Sequence, residues 1–342
     1  STSIEQYDIA YYFRQIEEEE YSIDHDALRS FFPSDHVVEK ALELISELFG
    51  INCKRIHADL WDPQVMLVEI KDHHHGLIGH CVLDLFPRPG KYSHAMMYEL
   101  RAGRTKNGVW VTPIVSVVAN FTPPTNGVAL LSHDEVETLF HELGHCMHGL
   151  FTKVPYARLA GTNIAWDAVE IPSQVLENFA QHPEVLRRIG KHHVTGELID
   201  TMTIERIVRA QLCGQGWIKT RQILLSSFDL LLHGEQEIED LTKKYLELYQ
   251  EYMGVSPVQE SHFPATFGHL MGGYDAGYYG YLWSKVFAQD VYLFLQSLDA
   301  SAGSRYRLCI LEKGDSEDMT LLLREFLSRE PNNAAFLKDI GL

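Results

Sequence analysis

The sequence predicts a mainly α-helical protein that carries one small antiparallel β-sheet and a metal site. Three observations point there. Apolar residues recur at helical spacing through the stretch His141-Glu142-Leu143-Gly144-His145. Short apolar and β-branched runs fill residues 54 to 121, and helical periodicity dominates on both sides of that block. With 342 residues and 45% hydrophobic content, the chain can bury a large core. It reads as a single region, 1–342, with helices over 1–53, the sheet over 54–121 and helices over 132–342.

Composition removes whole classes of function. Lys plus Arg is 29 against 47 for Asp plus Glu, a net charge of −18, which argues against nucleic acid as a partner. No apolar run approaches the roughly 20 residues needed to span a bilayer, so no membrane association is expected. Five scattered cysteines without metal-type spacing argue against a disulfide scaffold and predict a reducing, cytoplasmic location.

In chain order, Ile4 to Glu20 reads as a helix whose final acidic run is a solvated face. Ser34 to Phe49 reads as a second helix, bracketed by Pro33 and Gly50. Val65–Ile70, Leu77–Phe86, His94–Leu100 and Val109–Ala119 read as strands, and Pro113 predicts that the last is an edge or bulged strand to which an extended peptide can pair. The triplet His73-His74-His75 falls at a hairpin turn, where adjacent side chains cannot converge on one ion, so it is not taken as a ligand set.

Ser132 with Glu135 forms a capping-box pattern that starts the next helix, which stops before Pro155. Val136, Leu139, Phe140, Leu143, Met147 and Leu150 mark its buried face. His141 and His145, four residues apart, lie one turn above the other and can share an ion, while a buried histidine pair is the competing reading. Glu142 suits a base acting on metal-bound water. His148 lies one further turn along and reads as packed or supporting, and Cys146 as a small buried apolar residue.

A catalytic zinc needs a third protein ligand. Glu170, just before Pro172 in the first turn of a new helix, is the best candidate; the alternative is an acid drawn to the helix's positive end. Glu177 reads as a supporting residue, and Asp134 or Glu137 as an acid that orients an imidazole. Helices follow over 184–253, with Ile223 to Leu232 assigned to core. The stretch Phe267 to Tyr281 is too rich in glycine and tyrosine for a routine helix and reads as a loop that closes on a ligand, its hydroxyls donating to an oxyanion, with an aromatic-rich packing turn as the competing reading.

Three motifs together resemble the thimet oligopeptidase, neurolysin and oligopeptidase A family of zinc peptidases: His141 to His145, Trp166-Asp167-Ala168-Val169-Glu170-Ile171-Pro172-Ser173-Gln174, and Phe267 to Tyr281. The resemblance implies a zincin-type catalytic region with one Zn2+ per chain held by His141, His145 and Glu170, and Glu142 as general base and acid. It implies catalytic roles for His269, Tyr278 and Tyr281, and substrate contacts from Tyr274, His269, Gly272 and Gly273. The activity it implies is hydrolysis of internal bonds in short peptides within a channel. Two alternatives stay open: a carboxydipeptidase of the same family, and a peptide-binding zinc protein without independent catalysis. Relatives are about twice this length, so the resemblance places this chain in their carboxy-terminal half. An amino-terminal half or a second subunit is then the partner that completes the channel.

Overall fold

A computed structural model of the chain describes residues 4–73, 76–235, 237–258 and 261–342. Helices dominate, arranged around a five-stranded sheet that backs the histidine helix. His74 and His75 of the histidine triplet lie outside the described residues.

The strands are β1 (Ile51–Ile56), β2 (Met66–Asp72), β3 (Gly76–Asp84), β4 (Met96–Arg101), β5 (Arg104–Lys106), β6 (Val109–Val111) and β7 (Ile114–Val118). The main sheet runs β1-β2-β3-β7-β4, with β5 and β6 forming a separate hairpin. This corrects the antiparallel expectation. After β3 the chain passes out through β4 and the hairpin, then returns to insert β7 between β3 and β4, so β3 and β7 run parallel. The run expected over Val109–Ala119 is therefore two strands interrupted at Thr112-Pro113, and Pro113 marks the break and not an edge. The Pro113 carbonyl accepts from His80 N–H at 3.2 Å, which ties the turn to β3. The edge beside the site is β4, and β1, at the opposite edge, was not foreseen.

The Ser34–Phe49 helix forms as its periodicity predicts, with Pro33 before it and Gly50 in the left-handed region (φ 63°) at its end. The acidic run closes the Ile9–Glu20 helix, with Glu18, Glu19 and Glu20 exposed. In the Gln215–Leu232 helix, Leu224, Leu225 and Phe228 are buried, whereas Ile223 and Leu230 face outward. This stretch is core on one side only.

The site helix spans His133–Phe151. Ser132 Oγ accepts from Glu135 N–H at 3.2 Å, and Glu135 Oε2 accepts from Ser132 N–H at 2.7 Å, so the predicted box is closed in both directions. Such a cap contributes about 1 kcal/mol. Every apolar residue of its predicted face is buried, and burial extends to Cys146, His148 and Phe151, so the helix is central and not merely amphipathic. Its position against the sheet and against the short Ile171–Glu177 helix sets the geometry of the site.

Candidate metal centre

The two helices approach closely because of one residue. A Cβ on Gly144 would sit 2.4 Å from the Pro172 carbonyl oxygen and 2.5 Å from Ser173 Cα, so only glycine allows this contact. The approach brings Glu170, at the N-terminus of the second helix, over the histidine stripe. Glu170 Oε2 lies 3.3 Å from His141 Nε2 and 3.1 Å from His145 Nε2. The ligand atoms of all three residues fall within 4.8 Å of one another.

Two of the three donors are held from behind, while His145 Nδ1 has no hydrogen-bond partner among the described residues. His141 Nδ1 is 3.0 Å from Glu177 Oε2, and Glu177 Oε1 is 3.1 Å from Lys285 Nζ. The Nδ1 proton therefore goes to Glu177, leaving the Nε2 lone pair turned to the centre. Burial pushes the Glu177 carboxyl up, but Lys285 and the His141 hydrogen bond outweigh it and hold the group at about 2. Glu170 accepts from Ser173 Oγ at 2.8 Å and from the Tyr274 hydroxyl. Although burial opposes ionisation of Glu170, the two histidines keep its pKa well below the usual carboxylate range.

Glu142 is 5% exposed, and its Oε2 has no hydrogen-bond partner among the described residues. Burial raises its pKa, against the pull of His141 and His145 and of a hydrogen bond from Met97 N–H on β4. The donor set fits a divalent cation. Two imidazoles and the Glu170 carboxylate converge there. Against burial, the surrounding acids, with Glu170 and Glu177 hydrogen-bonded to His141, push the His141 pKa well above its ordinary value, so the site attracts positive charge.

Above this set lies a pocket of about 330 Å³, with Tyr92, His94 and Met97 on one side and His269, Tyr274 and Tyr281 on the other. Tyr281 Oη is 3.2 Å from His269 Nε2, and the Tyr274 and Tyr281 rings stack at 5.0 Å. Burial and the neighbouring His94 lower the pKa of His269, which keeps the ring neutral near pH 7. Gly272 lines the pocket as well.

Not every expected residue arrives. Tyr278 does not line the pocket: its ring is wedged edge-on against Phe267 at 5.0 Å, and its N–H donates to Asp229 Oδ2 at 2.9 Å. Asp229 also accepts from Ala276 N–H at 3.1 Å, and these two bonds hold the backbone where the Tyr278 side chain joins a satellite core formed with Leu224, Phe228, Tyr245, Tyr249 and Phe267. Gly273, at φ 96°, turns the chain beside Trp166 and does not line the pocket. Glu137 hydrogen-bonds Gln181 and sits 3.5 Å from His133, and Asp134 faces outward, so Glu177 alone of the suggested acids orients a ligand histidine. His148 is fully buried with neither ring nitrogen partnered among the described residues, and burial pushes its pKa down to about 3. His94 and Lys285 were missed, having no motif spacing that separates them from ordinary strand and helix residues.

The whole chain, residues 1–342, matches the profile of Peptidase family M3. The chain belongs to this family. It is 34% identical to oligopeptidase A of Salmonella typhimurium over 99% of its own length and 52% of that protein. To the thimet-like oligopeptidase of Dictyostelium discoideum it is 33% identical over 98% and 52% of the two chains, and to the dipeptidyl carboxypeptidase of Escherichia coli 32% over 99% and 51%. It thus spans about half the length of the curated relatives it matches. The solved structure of PZ peptidase A with an inhibitor shares the fold, with a TM-score of 0.55 at 13% identity over all of this chain and 58% of that one. Within family M3, His141, His145 and Glu170 form a three-residue donor set with a carboxylate, Glu142, standing next to it.

Proposed function

We propose that this family M3 chain is the catalytic part of a zinc-dependent oligopeptidase that hydrolyses internal bonds of short peptides. The observation that carries the reading is the unpartnered Glu142 Oε2 beside a three-donor set, opening on a pocket whose far wall is His269 and Tyr281. A structural zinc site normally uses four protein ligands and has no free base beside it.

His141, His145 and Glu170 would hold one zinc ion. When bound, the ion acidifies a water and polarises the substrate carbonyl. Glu142, its pKa raised by burial, takes the proton from the attacking water and passes it to the leaving amine. The Tyr281 hydroxyl, positioned by His269, donates to the oxygen that gains negative charge; one such donor lowers a barrier by roughly 3 kcal/mol. Tyr274 acts on Glu170, and Tyr278 takes part only if the glycine-rich turn rearranges around substrate. The free edge of β4 pairs with the extended peptide backbone, a role expected earlier for the Pro113 strand. The five free thiols, including Cys81 and Cys146 at 3.7 Å, fit the reducing cytoplasm in which we place the protein. An amino-terminal half or second subunit would close the channel over this face.

The variant Glu142→Gln tests the reading. It should bind one zinc per chain, by metal analysis, while cleavage of a quenched peptide falls by at least ~100-fold; near-native cleavage would sink it. Mapping cut sites by mass spectrometry separates internal cleavage from release of carboxy-terminal dipeptides.

A further inference from the structure

A second cavity, of about 340 Å³, adjoins the catalytic pocket and shares His141 and Tyr281 with it. The Ile171–Glu177, Gln215–Leu232 and Gly280–Leu295 helices supply much of its wall, with Glu137 and His141 from the site helix and Asp339 from the Ala334–Asp339 helix. On the second of these, Gln215, Lys219 and Gln222 stand at i, i+4 and i+7 and form one stripe.

Its walls are unusual in what they leave unpaired. Gln174 Oε1, Gln215 Oε1, Gln222 Oε1 and Gln211 Nε2 are buried without a hydrogen-bond partner, four of the ten such atoms among the described residues. Buried polar atoms are normally satisfied, so this concentration in one cavity points to a polar guest. The orientation of two amides is fixed. Gln174 Nε2 donates to the Tyr281 carbonyl at 2.9 Å and Gln215 Nε2 to the Gln211 carbonyl at 2.7 Å, and a carbonyl only accepts, so both Oε1 atoms remain as acceptors. Donors are present too: Gln211 Nε2, and the Lys219 ammonium, which has no ion-pair partner among the described residues. Gln174 is 7% exposed, which makes it a built part of the wall.

The charges exclude other guests. An anion would meet Glu137, Glu177 and Asp339, and a cation would meet Lys219 and Lys285. We propose that this cavity is a specificity subsite for a carboxamide side chain, glutamine or asparagine, of the peptide substrate. The guest's NH₂ donates to Gln174 Oε1 and Gln215 Oε1, and its C=O accepts from Gln211 and Lys219. A methionine of similar size leaves those groups unpaired, which is how a hydrogen-bonding pocket rejects an apolar isostere. The inference rests on the peptidase reading for its choice of ligand.

The test is calorimetric binding to zinc-loaded Glu142→Gln protein, which binds without turnover. The probes are alanine hexapeptides in which glutamine, glutamate, lysine or methionine is moved through each position. At one position glutamine binds at least about tenfold tighter than the other three. That ratio falls to near one in Lys219→Met and in Gln215→Met, each added to Glu142→Gln. Lys219 is only half-buried, so its variant keeps the test available if Gln215→Met misfolds. Equal affinity for methionine and glutamine at every position, a ratio that survives both variants, or no binding at all overturns the proposal. Cleavage by the unaltered protein reports separately. Cutting without glutamine preference sinks this inference alone, and glutamine-selective binding without cutting, even with the channel completed by an amino-terminal half, sinks the peptidase reading alone.

Discussion

Gly144 and Pro172 are in direct contact across the two helices that carry His141, His145 and Glu170, with room for no side chain: a Cβ on Gly144 would lie 2.4 Å from the Pro172 carbonyl oxygen. Backbone cannot retreat as a flexible side chain can. Gly144→Ala should therefore push the Glu170 helix away, costing about 1–3 kcal/mol or more in stability and weakening zinc binding. Denaturant unfolding and a zinc titration check both; an alanine variant with native zinc affinity would show that this contact does not set the site.

His141 depends on Glu177 for its tautomer and on the Glu177–Lys285 pair for its orientation. Glu177→Ala should weaken zinc about 10–100-fold with the three ligands intact. Glu137→Gln, at a residue bonded to Gln181 and paired with His133, not with His141 or His145, should leave zinc affinity unchanged. Competition with a chelating dye measures both constants.

Tyr281 and Tyr278 separate by position. Tyr281 lines the pocket with its hydroxyl on His269, whereas Tyr278 is packed into the satellite core. Tyr281→Phe should lower kcat by roughly 10²–10³-fold at little change in KM. Tyr278→Phe should mainly affect thermal stability. A loss of kcat in Tyr278→Phe as large as in Tyr281→Phe would show that the turn rearranges when substrate binds.

Acid should weaken the sheet end of the molecule through Asp84. Its carboxylate is 3% exposed, receives Arg88 through two bonds of 2.6 and 2.7 Å, and also accepts from Lys91 and Trp61, each at 2.9 Å. Burial favours the neutral acid, but these donors outweigh it and hold the pKa at about 2. Because the folded value lies below the unfolded one of about 3.9, the stabilisation is complete above pH 4 and is lost as pH falls toward 2. After allowance for solvent screening at Arg88, the contribution is about 1–2 kcal/mol. Asp84→Asn should lose that amount at pH 7 and flatten the acid side of the stability curve between pH 4 and 2, as urea unfolding across this range will show.

The legible parts of this molecule were those written in local chemistry. The Ser132 and Glu135 box, the 3.6-residue stripe through Leu143, and the Pro33 and Gly50 brackets depend on neighbours in sequence, and each appears where expected. Glu170 was legible because Pro172 marks a helix start beside it. The parallel insertion of β7 was not legible, since strand order is decided by pairing between distant segments, and a break at Pro113 looks the same in sequence as an edge. The packing of Tyr278 was not legible either, because Asp229, 49 residues earlier in the chain, binds its backbone N–H and its ring lies against Phe267, His269 and Tyr281. The glutamine-lined cavity joins helices far apart in the chain and left no motif in the sequence at all.

The most direct measurement is cleavage of an internally quenched peptide of about ten residues by the purified chain, with and without a chelator and after zinc is restored. The account predicts cleavage that the chelator abolishes and stoichiometric zinc recovers, cutting inside the peptide. Cleavage indifferent to the chelator, or no cleavage by a chain that holds one zinc with its channel completed by an amino-terminal half, would contradict it.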